Sequence, residues 1–401
     1  MTDRRPAPSP ATSDRPRGAL TALCVAVTTS WGLLYYSLPV ALTPISSDTG
    51  WSHAAITGAF SAGLIVSAAA GLRVGKVLDT RGPRTVMTGG ALLGVLALVL
   101  VAWAPTLPVF FLAWLLAGAA QATVLYPPAF AVITRWYGPR RVRPLTTLTL
   151  VAGLASTIFA PLTAWLIHHL GWRTSYLLLA GLLAAVTVPL HALFLNRTWS
   201  DIPAAASGTV SAQIRADIRA LTRTPRFITL QATMALATLT LYTVTLSLIP
   251  LLLERGVAYA TAALTLGLVG TGQVLGRLGY SALDRTTTPR VRTVAILGAG
   301  ALGLGALALI PGPYWLLISL AVITGAARGC LTLLQATAVS DRWGTQNYGS
   351  VNAVFTAPMT AIGALAPVAG PVLAGLLGSY SAMTTLMALA LAGVALASTR
   401  T

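Results

Sequence analysis

Long apolar runs separated by short polar segments dominate this sequence. Each run approaches or exceeds the about 20 residues that a helix needs to cross the hydrocarbon core of a bilayer. Only 9% of the 401 residues are charged, against about 25% in an ordinary soluble domain, so lipid must surround most of the chain. Twelve such runs lie near residues 19–43, 53–74, 85–103, 107–133, 144–168, 174–195, 226–252, 258–283, 291–310, 313–338, 349–372 and 378–398.

The predicted fold is an all-α membrane protein of twelve transmembrane helices in two six-helix halves. The first half covers residues 19–195 and the second covers 226–401. Residues 1–18 are rich in Pro, Ser, Thr and Arg and have no apolar core, which predicts a disordered tail. Residues 196–225 connect the two halves and are the one long polar stretch inside the chain.

The linker between the halves contains a helical pattern. Ile214, Ile218 and Leu221 fall on one side of a helix, and Arg215 and Arg219 fall on the other. This pattern predicts an amphipathic helix that lies on the membrane surface. A plain flexible linker is the alternative.

The distribution of basic residues predicts the orientation of the chain. Cytoplasmic loops of membrane proteins carry an excess of Lys and Arg. If the N-terminus is cytoplasmic, almost all of the 26 basic residues fall on that side, and only Arg173 and Arg255 fall outside. We therefore predict a multi-pass protein of the plasma (inner) membrane with both termini in the cytoplasm. The net charge of +17 is spread over short loops, so we expect no nucleic-acid partner.

Two arginines, Arg277 and Arg328, fall inside the eighth and tenth apolar runs. An arginine in a spanning helix costs on the order of 2.5–3.5 kcal/mol, so it persists where it has a partner. The nine acidic residues all fall in the tail, the loops or the linker, and an anionic substrate is the natural partner. Hydrogen bonds to the carbonyls of a broken helix, or snorkelling toward the membrane surface, are the alternatives.

Other polar and aromatic residues inside the runs are candidates for the same site. Polar residues inside a helix bundle often only connect helices, and this is the alternative for each of them. The candidate lining residues are Tyr35, Tyr36, Gln121, Tyr126, Gln273, Asn352 and Phe355.

The loop between the second and third runs has a recognisable sequence. It reads Gly75-Lys76-Val77-Leu78-Asp79-Thr80-Arg81-Gly82-Pro83-Arg84. This resembles the G-x-x-x-D-R-x-G-R-R signature of the major facilitator superfamily, with Thr80 inserted between the Asp and the Arg. The resemblance implies a gating motif made of Gly75, Asp79, Arg81, Gly82 and Arg84.

Each residue of this gating motif has an expected physical role. We expect Gly75 to let helices pack closely. We expect Asp79 to lie against the N-terminal end of helix 11 of the other half, where the helix dipole favours negative charge. Arg81 and Arg84 would then hold the loop. A solvated loop without such a role is the alternative.

Further motifs resemble the monocarboxylate and oxalate–formate branch of this superfamily. The resemblance implies that Arg277 binds a substrate carboxylate. The sequence departs from the branch because helices 1 and 11 contain no lysine, and Arg328 is the candidate for a second positive charge. The motifs are Trp31-Gly32 with Tyr35-Tyr36-Ser37, Gly50-Trp51-Ser52, Gly82-Pro83-Arg84, Arg135-Trp136-Tyr137-Gly138-Pro139-Arg140-Arg141, Gly171-Trp172-Arg173 and Gly276-Arg277.

The sequence therefore predicts a secondary active transporter, not an enzyme, that moves a small monocarboxylate-like organic anion by alternating access. The alternative is an efflux pump of the same fold for a drug or natural product. Drug–proton antiporters usually carry an acidic residue inside a spanning helix, and these runs contain none. The expected partners are the anion, a coupled proton or an exchanged anion, and the lipid bilayer. We expect a monomer without cofactor or metal.

Overall fold

The computed structural model describes residues 18–137, 142–196, 218–343 and 348–400. Within these ranges the chain consists of helices joined by short turns, with no strand. In the first half they are α1 (Ala19–Thr49), α2 (residues 53–81), α3 (residues 83–103), α4 (Leu107–Tyr137), α5 (residues 142–170) and α6 (residues 172–194). In the second half they are α7 (residues 225–254), α8 (Tyr259–Thr286), α9 (Pro289–Leu309), α10 (Tyr314–Thr337), α11 (residues 348–377) and α12 (Tyr380–Ala397).

Two glycines separate helices that otherwise run on without a loop. The helical run His53–Trp103 turns at Gly82, and the run Ala155–Phe194 turns at Gly171. The backbone angle φ is +74° at Gly82 and +72° at Gly171, which lies in the left-handed region that a residue with a Cβ rarely adopts. Each glycine therefore ends one helix and lets the next one start in a new direction.

The described residues contain nine helices that are long and apolar enough to cross a membrane. The pair Val354–Gly363 and Ala366–Leu377, bent by 48°, makes a tenth. One of the nine is the 52-residue run Arg143–Phe194, which exceeds twice the length of one span and is divided at Gly171. α8 is not among the ten, because glycine, threonine and glutamine residues interrupt its apolar side chains. The all-helical membrane fold is confirmed, and the predicted count of twelve spans is consistent with it.

Several helices are broken within the bundle. α1 contains a π-helical turn at Gly32–Tyr36. α4 breaks at Leu125, directly before a Tyr-Pro-Pro sequence, and α11 breaks just before Pro367. A proline removes a backbone donor and collides with the preceding turn, so the breaks in α4 and α11 follow from the sequence. Such breaks leave carbonyl groups that need partners from other helices.

The two halves pack against each other along two pairs of helices. α5 packs against α8, where Thr157 donates a hydrogen bond to the Gly267 carbonyl at 2.8 Å. α2 packs against α11, where the Val368 amide donates to the Ser61 hydroxyl at 3.3 Å. These contacts hold the inner faces of both halves around a shared centre.

Further bonds join the halves at one end of the bundle. We call the end at which α1 begins the proximal end, and the end at which α1 finishes the distal end. At the distal end the Tyr259 hydroxyl donates to the Val40 carbonyl at 2.8 Å. His53 Nδ1 lies 3.0 Å from the Tyr380 hydroxyl at the same end. The structure is therefore a conformation in which the halves meet distally.

The linker is described only at its end. Residues 218–222 are helical, and Ile218 and Leu221 pack against the core. The rest of the predicted amphipathic helix, including Ile214 and Arg215, lies outside the described residues, as does the N-terminal tail up to residue 17. The predicted domain boundaries stay predictions.

Candidate functional site

Glycines let α8 and α10 approach until their backbones touch. A Cβ at Gly276 would lie 2.1 Å from the Ala326 carbonyl oxygen, and a Cβ at Gly329 would lie 2.2 Å from the Gln273 carbonyl oxygen. Small residues spaced four apart allow this approach in membranes. Arg277 and Arg328 are the chain neighbours of two of these glycines, so the contact fixes both arginines. We call this contact the glycine interlock, and its members are Gly272, Gly276, Gly325 and Gly329.

Arg328 is a buried cation whose hydrogen-bonding capacity is only partly used. Its side chain lies within α10 and is 3% exposed. The guanidinium stacks on the ring of Tyr242 on α7, with Cζ 3.8 Å from the ring centroid. Its Nε and Nη1 have no hydrogen-bond partner within the described ranges. Carboxylates accept strong charge-assisted hydrogen bonds from a guanidinium, so Arg328 is well suited to bind an anion.

Arg277 on α8 reaches across to the other half. Its Nη1 donates to the backbone carbonyl of Thr149 on α5. A Cβ at Gly153 would lie 2.8 Å from that nitrogen, so the glycine at the break of α5 leaves room for the guanidinium. Arg277 therefore makes the contact with a broken-helix carbonyl that was the alternative to anion binding. Its Nε has no partner in the described part of the chain and stays available to a ligand.

Tyrosines from the first half meet both arginines. Tyr35 and Tyr36 on α1 lie within electrostatic range of Arg328, and Tyr126 on α4 lies near Arg277. The structure thus brings five of the predicted site residues together at the interface of the two halves. Their sequence positions are far apart, and only the pairing of the halves makes them neighbours.

Tyr242 is a site residue that the sequence analysis missed. It lies on α7, partly exposed, and covers one face of the Arg328 guanidinium. One turn before it, the Thr238 hydroxyl accepts a 2.7 Å hydrogen bond from Gln335 of α10. The only sequence signal was a lone tyrosine in a threonine-rich stretch of an apolar run.

Gln121 supports the wide turn that carries the α1 tyrosines. Tyr35 and Tyr36 lie in the π-helical turn, a feature that occurs frequently at functional sites. Gln121 Nε2 on α4 donates to the Leu34 carbonyl in the same turn at 2.8 Å. Its amide therefore connects α4 to α1, the role that was the alternative to lining the site.

The remaining candidates lie in different surroundings. Gln273 is buried one turn before Arg277, and its Nε2 has no partner among the residues that are described. Phe355 is fully buried and packs edge-on against Phe227, with ring centroids 5.6 Å apart, in the core near the proximal end. The Asn352 side chain lies outside the described residues. The roles predicted for these three residues stay predictions.

The gating motif is only partly described. Gly82 provides the left-handed turn between α2 and α3, and Arg81 and Arg84 are exposed. A Cβ at Gly75 would have no described atom within 4 Å, and the close helix packing predicted for Gly75 stays a prediction. The Asp79 side chain lies outside the described residues, and its contact with α11 stays a prediction.

A third buried arginine, Arg292, was also missed, because it stands at the very start of the ninth apolar run and was counted with the basic residues on the cytoplasmic side. It lies in the first turn of α9 and is 2% exposed. It pairs with Asp284 at 2.5 Å and with Asp341. Its burial depends on a carboxylate that is 49 residues away in the chain. The charge of Arg292 is neutralised by carboxylates of the protein, so this arginine does not need an anionic ligand.

Comparisons with known proteins agree with this architecture. The Major Facilitator Superfamily model matches residues 21–367. Monocarboxylate transporter 13 of Bos taurus is 30% identical over 164 residues, which cover 40% of this chain and 36% of that protein. Monocarboxylate transporter 11 of Homo sapiens is 31% identical over 303 residues, which cover 73% of this chain and 60% of that protein.

An exporter and a solved structure are also similar. The cephamycin export protein CmcT of Amycolatopsis lactamdurans is 29% identical over 227 residues, covering 52% of this chain and 45% of that protein. The nucleoside transporter NupG superposes with a TM-score of 0.76 at 15% identity, covering 96% of this chain and 99% of that one. The chain spans 36% to 60% of the length of the monocarboxylate transporters it matches. The structural likeness shows a shared fold.

Proposed function

The chain belongs to the Major Facilitator Superfamily, and from this premise we propose that it carries a small organic anion across the plasma membrane by alternating access. It is a multi-pass membrane transporter that resembles the monocarboxylate branch. The observation that carries the proposal is Arg328, a buried cation with two nitrogens that lack partners in the described chain. An anion bound there would supply the missing negative charge.

The position of the site supports transport by rocking of the halves. The tyrosines come from α1 and α4 of the first half, and the arginines come from α8 and α10 of the second half. A ligand held by both sets would sit at the interface about which the halves move. The anion would move with a coupled proton or against an exchanged anion. An imposed pH gradient should drive uptake into vesicles in the first case, and a preloaded anion should drive it in the second.

We expect Arg277→Gln to weaken anion binding about tenfold to a hundredfold, because one charge-assisted hydrogen bond contributes roughly 1.5–3 kcal/mol. Arg277→Lys should also weaken it, since an ammonium group cannot form the two parallel bonds of a guanidinium. Binding of labelled monocarboxylates and dicarboxylates to purified protein measures both effects. Arg285→Gln, exposed on the same helix, is the control and should bind like wild type. Wild-type affinity in folded Arg277→Gln protein would remove Arg277 from the anion site.

The second candidate function is efflux of a drug or natural product. The similarity to the cephamycin export protein over 52% of the chain favours it. An efflux pump that carries neutral or cationic compounds would be insensitive to changes at Arg277. Vesicle assays that compare anion flux with export of a neutral compound, in wild type and Arg277→Gln, decide between the two functions.

The proposed orientation places the proximal end and both termini in the cytoplasm. Single cysteines at Ser47 and Ala258, both exposed at the distal end, should react with impermeant thiol reagents added to intact cells. Cysteines at the exposed proximal positions Thr80 and Thr286 should react only after the cells are opened. The native cysteines, Cys24 and Cys330, are first replaced by alanine. Reversed labelling would overturn the orientation.

A further inference from the structure

More aromatic side chains surround the anion site than a small aliphatic anion could contact. Rings from both halves lie beside the two arginines. The first half contributes a connected row of rings, and the second half contributes the ring that covers Arg328. What these rings can hold depends on their geometry and exposure.

The row from the first half joins α1 to α4. The Trp31 ring lies 5.0 Å from Tyr35 and 5.2 Å from Tyr126, measured between centroids. Tyr126 in turn stacks on Phe130 at 5.1 Å with the two planes only 19° apart. These distances and angles are those of favourable aromatic pairs. The row therefore presents ring faces and edges in a fixed arrangement.

Several of these rings are not completely enclosed by protein. Trp31, Tyr126, Phe130 and Tyr242 are partly exposed, although they lie within the bundle. The indole Nε1 of Trp31 is buried without a hydrogen-bond partner in the described ranges. Partly exposed rings beside a buried cation form a surface with an apolar part and a charged part. This combination matches a ligand that has the same two parts.

The Arg328 guanidinium is placed so that a ligand bound to it would lie alongside the rings. Tyr242 covers one face of the Arg328 guanidinium at 3.8 Å, while Nε and Nη1 have no partner in the described chain. A carboxylate bonded to either of these nitrogens would lie close to the plane of the guanidinium. Tyr35 and Tyr36 lie within electrostatic range of Arg328, and the Tyr35 ring packs on Trp31, so the aromatic row begins near the cation.

We propose that the site takes an aromatic carboxylate, with the carboxylate on Arg328 and the ring against the aromatic row of Trp31, Tyr126 and Phe130. This inference rests on the proposed function, because it names the class of organic anion that the same site carries. Compared with an aliphatic anion of one or two carbons, the ring adds apolar surface that leaves water on binding. It also adds aromatic contacts that a saturated ring of equal size lacks.

The test compares three carboxylates with the same charge. Benzoate, cyclohexanecarboxylate and acetate are titrated into purified wild-type protein by calorimetry. We expect benzoate to bind about tenfold to a hundredfold more tightly than acetate, from burial of the ring. Benzoate should also bind several-fold more tightly than cyclohexanecarboxylate, because only the flat ring makes aromatic contacts.

Variants then test where the ring binds. Tyr126→Leu should reduce the benzoate-to-acetate affinity ratio about tenfold, and Tyr126→Phe, which keeps the ring, should retain most of that ratio. Tyr314→Leu removes a tyrosine that is 56% exposed at the distal start of α10, and it should leave the ratio unchanged. An unchanged ratio in folded Tyr126→Leu protein would overturn the assigned position of the ring.

The outcomes separate this inference from the function on which it rests. If benzoate and acetate bind equally, or if cyclohexanecarboxylate binds as well as benzoate, the aromatic class is wrong while anion transport stands. If none of the three binds saturably and a wider panel of organic anions also fails, the proposed function itself is wrong. Preference for benzoate in wild type, lost in Tyr126→Leu, supports both.

Discussion

Arg328→Met should abolish anion binding and at the same time make the empty protein more stable. Methionine keeps much of the side-chain volume but removes the charge and the donors. Two charge-assisted hydrogen bonds together contribute roughly 3 kcal/mol or more, so the loss of affinity should be about a hundredfold or greater. A cation within a spanning helix costs about 2.5–3.5 kcal/mol without a partner, and its removal relieves that cost in the unliganded state. Calorimetry measures the affinity, and thermal unfolding of solubilised protein measures stability.

A second buried arginine provides the matched control for this experiment. Arg292 is as buried as Arg328, but it is paired with Asp284 and Asp341. Arg292→Met should therefore lower the unfolding temperature, because bonds to charged groups are lost that contribute roughly 1.5–3 kcal/mol each. Both carboxylates are partly exposed. Solvent screening therefore places the loss of stability toward the lower end of that range. A lowered unfolding temperature for Arg328→Met would mean that the contacts of this arginine within the protein, including that with Tyr242, outweigh the cost of burying its charge, and it would contradict the prediction.

Gly276→Ala should prevent α8 and α10 from packing and should sharply reduce the yield of folded protein. The added Cβ would lie 2.1 Å from a backbone oxygen of α10, and a backbone atom cannot move aside as a flexible side chain can. Overpacking of this kind costs about 1–3 kcal/mol and occasionally more. The fraction of monodisperse protein after extraction, and its unfolding temperature, measure the effect.

Gly279→Ala is the control for the change at Gly276. It lies three residues along the same helix, is exposed, and its Cβ would have nothing within 4 Å. The same substitution there should be neutral or stabilising by about 0.5–1 kcal/mol, since alanine favours a helix more than glycine does. Equal yields and unfolding temperatures for the two variants would show that the glycine interlock does not determine how α8 and α10 pack.

Sequence reasoning predicted the structure correctly where a local residue pattern has a single physical cause. Apolar length predicted the spans, and the gaps between the predicted runs contain Gly82 and Gly171, where the helices turn. Arg277 and Arg328 could be selected because an embedded cation is costly wherever it occurs. The structure then placed them with Tyr35 and Tyr36 at the interface of the halves.

The parts that sequence reasoning missed depend on contacts between distant segments. Tyr242 joins the site only because α7 packs beside α10 at the height of Arg328. Arg292 is buried because carboxylates on two other segments surround it, and its position at the edge of an apolar run gave no sign of them. The π-helical turn Gly32–Tyr36 has no compositional signature, since it depends on the Gln121 amide that meets its backbone. Each of these features is a property of the assembled bundle.

The glycine interlock has a consequence for how tightly the carrier holds its cargo on the two sides of the membrane. Because α8 and α10 touch backbone to backbone, they move as one unit, and the distance between Arg277 and Arg328 stays fixed while the first half rotates. The same pair of cations would then meet the anion from either compartment. The dissociation constants at the two faces should accordingly be similar, and the direction of net flow would be set by the concentrations on each side.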